Sequence, residues 1–330
     1  MDWFEKYFGF VEQSPEQVRR MLTYEAGYIH SSANGRRYRA GTLRMPSLGE
    51  LRQQTAALPL PSGKLRLTET VADVQGLHRD PATAGAVFQV ASQFNLLEMV
   101  SPEITPEAGV ARYAYDRTQG PACAIACGAG TVYRNYFVPL GGQIGQSQDR
   151  QIDTLHAIGA LLGNADGRFW WMQNGYALAD RSQLHRLNAR LEQLSPEAIK
   201  AALCVGIQED TEVILSDDGH TVSQVYGSAL PVAYNDMPPR DWAVFAQLIL
   251  EASYEATFHV AAQNYARTQN PSLYLTLLGG GVFGNDQQWI RAAIEASLER
   301  FAALPLEVHL VSYGKSNPLV AAIIEKQKGL

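Results

Sequence analysis
Hydrophobic and polar positions follow two periods along the chain, and the helical one is the stronger. From Trp242 to Tyr265 apolar residues recur at three- and four-residue spacing, which predicts one long helix ending before Pro271. Gln287 to Leu304 repeats that spacing and predicts a second helix. Leu273 to Leu278 reads as a buried strand and Leu306 to Gly314 as a strand. Asn317 and Pro318 then supply a cap and a first-turn proline for a terminal helix. Helix, strand, helix, strand, helix predicts a mostly parallel sheet with helices on both faces.

Upstream the signals are shorter. Ala84 to Ser92 is a brief apolar run, as expected of a strand buried on both faces. Lys64 to Glu69 alternates polar and apolar, and Thr211 to Ser216 is strand-like. His220 to Tyr234 alternates until it breaks at Pro231. Ala122 to Phe137 is rich in small residues and fits either helix or strand. Ser195-Pro196-Glu197 reads as a helix start leading toward an apolar segment around Cys204. The first eighty residues read as helix and loop. Ser14-Pro15-Glu16-Gln17 opens a helix that could run from Gln17 to Glu25, and Ser47 caps another that stops near Pro59.

Composition narrows the class. A chain of 330 residues accommodates either two units or one enlarged α/β domain. Apolar residues make up 46% and charged residues 18%, which excludes a long disordered tail, a coiled coil or a charge-rich rod. The net charge is −6, and the densest basic stretch, Asn34 to Arg39, reads as a solvated loop face. A nucleic-acid partner held by phosphate neutralisation is therefore not expected. No apolar run approaches the length of a membrane span, and Asp2, Glu5 and Lys6 interrupt the N-terminal one. Cytoplasmic residence is expected, or export as an effector without a classical signal. Cys123, Cys127 and Cys204 fit a reducing compartment, with Cys123 and Cys127 as buried apolar side chains rather than zinc ligands.

Several segments could carry chemistry. Gly279-Gly280-Gly281-Val282-Phe283-Gly284-Asn285 lies between a predicted strand and a predicted helix. Such a turn is either merely tight or a ligand loop whose exposed N–H groups take phosphate. Its spacing matches neither a Walker A loop nor a dinucleotide fingerprint. The predicted strand over Ala84 to Ser92 ends among amides, Gln89, Gln93 and Asn95, which suit ribose hydroxyls or simply cap a loop. Asp116, beside Arg117, is a carboxylate that could orient water or stabilise positive charge on a sugar, or form a local ion pair. Glu98, Glu103 and Glu107 read as solvated loop residues. Trp170-Trp171 and Tyr133 with Tyr136 are stacking platforms or core. Gly141 to Asp153, rich in glycine and amides, reads as a mobile loop.

The order of these features resembles the macrodomain, the ADP-ribose-binding α/β fold. The likeness is clearest from Val222 onward, through "SQVYGSALPVAY", the long helix, "SLYLTLLGGGVFGN", "WIRAAIEASLERF" and "LEVHLVSYG". The resemblance implies a three-layer α/β/α mixed sheet over 64–330, with a helical N-terminal extension over 1–63 and an insertion at about 141–194. It implies that Gly279, Gly280, Gly281, Val282, Phe283, Gly284 and Asn285 form the loop wrapping the diphosphate and distal ribose. It makes Asn95 the distal-ribose amide at the end of "AVFQVASQFN", with Gln93 also ligand-binding, and Asp73 of "ETVADVQGLH" the adenine contact. The run of glycines that the family places after this asparagine is absent, and only Gly109 remains. The pattern is closer to the poly(ADP-ribose) glycohydrolase-like and MavL-type branch. That implies a hydrolase removing ADP-ribose from a protein or small acceptor, with Asp116 and Glu107 as catalytic carboxylates and neither metal nor cofactor. A non-catalytic reader of ADP-ribose is the alternative. The partner is ADP-ribose or an ADP-ribosylated protein, with no nucleic acid and no membrane; the oligomeric state is open.

Overall fold
The computed structural model describes residues 1–328. Its centre is a seven-stranded mixed sheet. In chain order the strands are Thr42–Arg44 (β1), Arg66–Val71 (β2), Val87–Ala91 (β3), Gly206–Glu212 (β4), Thr221–Gly227 (β5), Ser272–Leu275 (β6) and Glu307–Ser312 (β7). Their order across the sheet is β1-β4-β5-β3-β6-β7-β2. From β5 to β2 all pairs are parallel, with Ser223 opposite Val87, Leu273 opposite Val87, and Ser312 opposite Val71. β4 pairs antiparallel with both β5 and β1. The three-layer α/β/α mixed sheet is thus what the chain forms.

Alternation along each strand sends side chains to two helical layers. Val87, Val225, Leu273 and Leu275 join the core beneath the long helix, while Phe88, Val90 and Tyr226 join the other core beside Cys123 and Cys127. The long helix spans Pro239–Thr268, with Pro239 at its first turn and Gln269 closing it in a left-handed conformation. It extends beyond the Trp242–Tyr265 periodicity because its ends carry fewer apolar residues. Trp242, Phe245 and Ile249 are wholly buried, and each such side chain contributes roughly 1.5–3 kcal/mol.

Several segments differ from their sequence reading. Ala122 to Phe137, open between helix and strand in sequence, is helical, in Gln119–Ala126 and Gly128–Tyr136 with Phe137 closing the second. The Thr211–Ser216 strand is displaced upstream: β4 ends at Glu212, and Val213 and Ile214 turn into the core. The helical reading of residues 1–63 is corrected for residues 22–44. The helix Pro15–Met21 gives way to Leu22–Glu25, which pairs antiparallel with Tyr28–Ser31, followed by Arg37–Arg39. Ala26 and Gly27, both at positive φ, close the first hairpin. An alanine in that conformation carries no turn signature in sequence. β1 then adds an edge to the central sheet through Ile207 opposite Arg44.

Candidate functional site
The parallel strands end together, and a cavity of about 140 Å³ opens beyond the carboxyl ends of β3 and β6. Its floor is Ala91, Ser92, Gln93 and Thr276. This is the crevice where open α/β sheets hold ligands.

One wall is the glycine loop. Gly279 and Gly284 have φ of +75° and +69°. A Cβ at Gly279 would strike Ala229, and one at Gly284 would strike Ala233. Around Gly281 there is open space on the side where a Cβ would stand. Gly280 N–H donates to Leu277 O, Gly284 N–H to Gly281 O and Asn285 N–H to Gly279 O. The N–H groups of Gly279, Gly281, Val282 and Phe283 donate to no described residue. Clustered free N–H groups of this kind hold anions. Asn285 lies beneath the loop, its Nδ2 donating to Leu230 O at 2.8 Å, and it is outside the cavity lining. Gly279, Gly281, Val282 and Phe283 line the cavity; Gly280, Gly284 and Asn285 shape the turn behind it.

The opposite wall carries two carboxyl groups, Glu98 and Asp116. Glu98 is only 6% exposed. Its N–H donates to Tyr113 Oη at 2.9 Å, while its Oε1 is buried with no hydrogen-bond partner among the described residues. Its carboxyl packs against the first turn of the Gln119–Ala126 helix, where a Cβ at Gly120 would collide with it. Burial raises the Glu98 pKa well above the usual carboxylate range; Arg134 opposes the shift and Asp116 reinforces it. Asp116 is half-buried and accepts the Thr118 N–H at 2.9 Å. No side chain caps the helix start at Thr118, so this N-terminus faces the cavity through Thr118, Gln119 and Gly120.

Arg134 secures the loop that presents Glu98. It is buried, with Nε donating to Leu96 O at 3.1 Å, the two terminal nitrogens to Gln208 and Thr131, and its guanidinium 3.8 Å above the Tyr226 ring. Leu96 itself has φ +63°, a strained backbone for a branched residue that these contacts hold in place. Gln93 reaches the cavity but is largely committed: its Oε1 accepts the Met99 N–H at 2.9 Å. Three rings close the remaining side, with Tyr176 lying 5.1 Å from Tyr234 and 5.5 Å from Phe283 between ring centroids. The Tyr176 hydroxyl donates to Met99 O at 2.7 Å.

The structure therefore separates the sequence candidates. Asp116 and Gln93 line the same cavity as the glycine loop. Glu107 does not: it is exposed and its Oε1 accepts the Gln148 N–H at 2.8 Å, anchoring the Gly141–Asp153 segment. Asn95 is wholly buried; its Nδ2 donates to Gln151 at 2.8 Å and its Oδ1 accepts the Leu97 N–H. Asp73 caps the helix Val74–Arg79 through the N–H groups of Gln75 and Gly76, outside the cavity lining. Glu98, read from sequence as solvated, is the reverse. Only its burial by Gly120, twenty-two positions later, identifies it, and no local pattern carries that. Tyr176 and Tyr234 also went unread, since they arrive from the 141–194 segment and from beyond the Pro231 break. Wider depressions elsewhere, such as that near Leu58 and Arg267, hold no buried unpaired carboxyl.

No family model and no curated protein matches the chain. Solved structures do. One is poly(ADP-ribose) glycohydrolase from Thermomonospora curvata bound to the inhibitor ADP-HPD, with 14% identity, TM-score 0.46, and 95% of this chain and 97% of that chain covered. Another is poly(ADP-ribose) glycohydrolase from Deinococcus radiodurans in complex with ADP-ribose, with 12% identity, TM-score 0.43, and 87% and 94% covered.

Proposed function
We propose that this chain binds ADP-ribose beyond β3 and β6 and hydrolyses the bond joining it to an acceptor. The observation that carries the reading is a buried, partnerless carboxyl, Glu98, facing a loop whose backbone N–H groups are free. The enclosed volume of about 140 Å³ suits a sugar ring rather than a whole nucleotide, so the ribose enters and the diphosphate lies along the glycine loop. Neutral N–H groups, aided by the helix start at Thr118, neutralise the phosphates without Lys or Arg. The rings of Tyr176, Tyr234 and Phe283 pack against the apolar face of the sugar or base.

The roles of the two acids follow from their surroundings. Burial favours the protonated form of Glu98, and in that form it donates its proton to the acceptor atom as the bond to the sugar carbon breaks. Asp116 orients a water and takes one of its protons while the water oxygen bonds to that carbon. Free ADP-ribose and free acceptor result, and a proton passes from Asp116 back to Glu98 through solvent. Calorimetric titration with ADP-ribose, ADP, NAD and ATP tests the binding step, and ADP-ribose release from a mono-ADP-ribosylated peptide tests the chemistry. Preferential binding of ADP-ribose and measurable release are expected. Binding none of the four would remove the reading, and binding without release would leave a reader in place of a hydrolase.

A further inference from the structure
Glu98 and Asp116 do not end the cavity. On their far side lies a second, smaller one of about 80 Å³, lined by Arg112, Tyr113 and Tyr115 and sharing Glu98, Val100 and Asp116 with the first. The two acids are thus the partition between two spaces. The unpartnered oxygen of Glu98 belongs to a residue lining both.

The smaller space has a definite chemistry. Arg112 lines it and forms no ion pair or hydrogen bond with any described residue; neither does the neighbouring, exposed Arg117. A guanidinium that pairs with neither of the two acids lining the same cavity is available to a carboxylate or phosphate, which it can take through two parallel hydrogen bonds. Tyr115 is 87% exposed and Val100 55% exposed, forming an apolar lip at the same opening. A large exposed ring beside a cleft provides contact area for an incoming chain rather than for the fold.

We propose that this smaller cavity is the acceptor subsite, in which Arg112 selects acceptors carrying negative charge next to the modified residue and Tyr115 supplies contact area to any acceptor. The proposal rests on the ADP-ribose reading of the larger cavity, since the bond to be cut must cross the Glu98–Asp116 partition. ADP-ribose then occupies the glycine-loop side, and the leaving acceptor occupies the arginine side. The charge arises either from acidic side chains or from a phosphorylated residue in the acceptor.

Three peptides mono-ADP-ribosylated on one central serine test this, flanked by aspartates, by lysines, or by a phosphoserine. Fluorescence anisotropy with Glu98→Gln protein reads binding whether or not the enzyme turns over. The aspartate and phosphoserine peptides are expected to bind about fivefold tighter than the lysine peptide. Their order identifies which source of charge the subsite takes. Arg112→Ala should abolish the difference and Arg112→Glu reverse it, while Tyr115→Ala should weaken all three peptides alike. Arg112 and Tyr115 are exposed, so none of these changes threatens the fold. A ratio that Arg112→Glu leaves unaltered, or a wild-type preference for lysine flanks, would overturn the subsite. Free ADP-ribose titrated in parallel separates the two claims: if it fails to bind at all, the larger cavity has been misread and the subsite falls with it.

Discussion
The two walls of the cavity are built by different means. The glycine loop offers backbone: four of its N–H groups are free, Gly279 and Gly284 adopt positive φ, and Asn285 ties the turn from below. The facing wall works through side chains. Glu98 is aimed by Tyr113, by Gly120 and by a strained loop that Arg134 holds at Leu96. The first wall is a local property of seven consecutive residues. The second is assembled from four separate stretches of chain, and it holds the two carboxyl groups of the cavity. A site can therefore keep its ligand loop while its reactivity depends on contacts far away in sequence.

The largest expected effect comes from the side-chain wall. Glu98→Gln should lower kcat for ADP-ribose release by about 10²–10⁴-fold, the usual share of a positioned acid, while ADP-ribose affinity changes little. Equal losses in affinity and rate would mean that Glu98 binds rather than reacts. Next is the backbone wall. Gly281→Glu places a carboxylate where phosphate would sit, and because open space surrounds Gly281 the fold should survive. Affinity for ADP-ribose should fall about 100-fold by like-charge repulsion in a partly desolvated site, read by calorimetry.

Two smaller effects sharpen the contrast. The folded pKa of Glu98 lies above its unfolded value, so its contribution to stability is full below the ordinary carboxylate range and is lost as pH rises through the raised value. Activity that needs its proton should decline over the same upper limb. Glu98→Gln removes that slope, and thermal unfolding should show the variant gaining on wild type with rising pH. Convergence of the two curves in acid is part of the expectation. The smallest effect belongs to Glu107→Gln. Its carboxylate holds the Gln148 N–H outside the cavity, so kcat should stay within about twofold, consistent with an exposed contact.

What could be read from sequence follows the same division. The parallel half of the sheet, the long helix and the glycine turn are periodic or contiguous, and each was expected where it lies. The hairpin closed at Ala26–Gly27 escaped because an alanine at positive φ leaves no mark in composition. Asn95 was expected at the ligand because it follows a buried strand, yet Gln151 and the Leu97 N–H already occupy its amide. Glu98 looked like any loop glutamate, since nothing near it in sequence says that Gly120 and Tyr113 will enclose it. Burial is a property of the assembled fold, and the raised pKa of this carboxyl depends on burial.

The most direct test compares ADP-ribose release from a mono-ADP-ribosylated peptide by the wild-type protein and by Glu98→Gln, with free ADP-ribose affinity measured for both. The expected result is release by the wild type, a loss of about 100-fold or more in the variant, and unchanged affinity. Release by the variant at the wild-type rate would contradict the account.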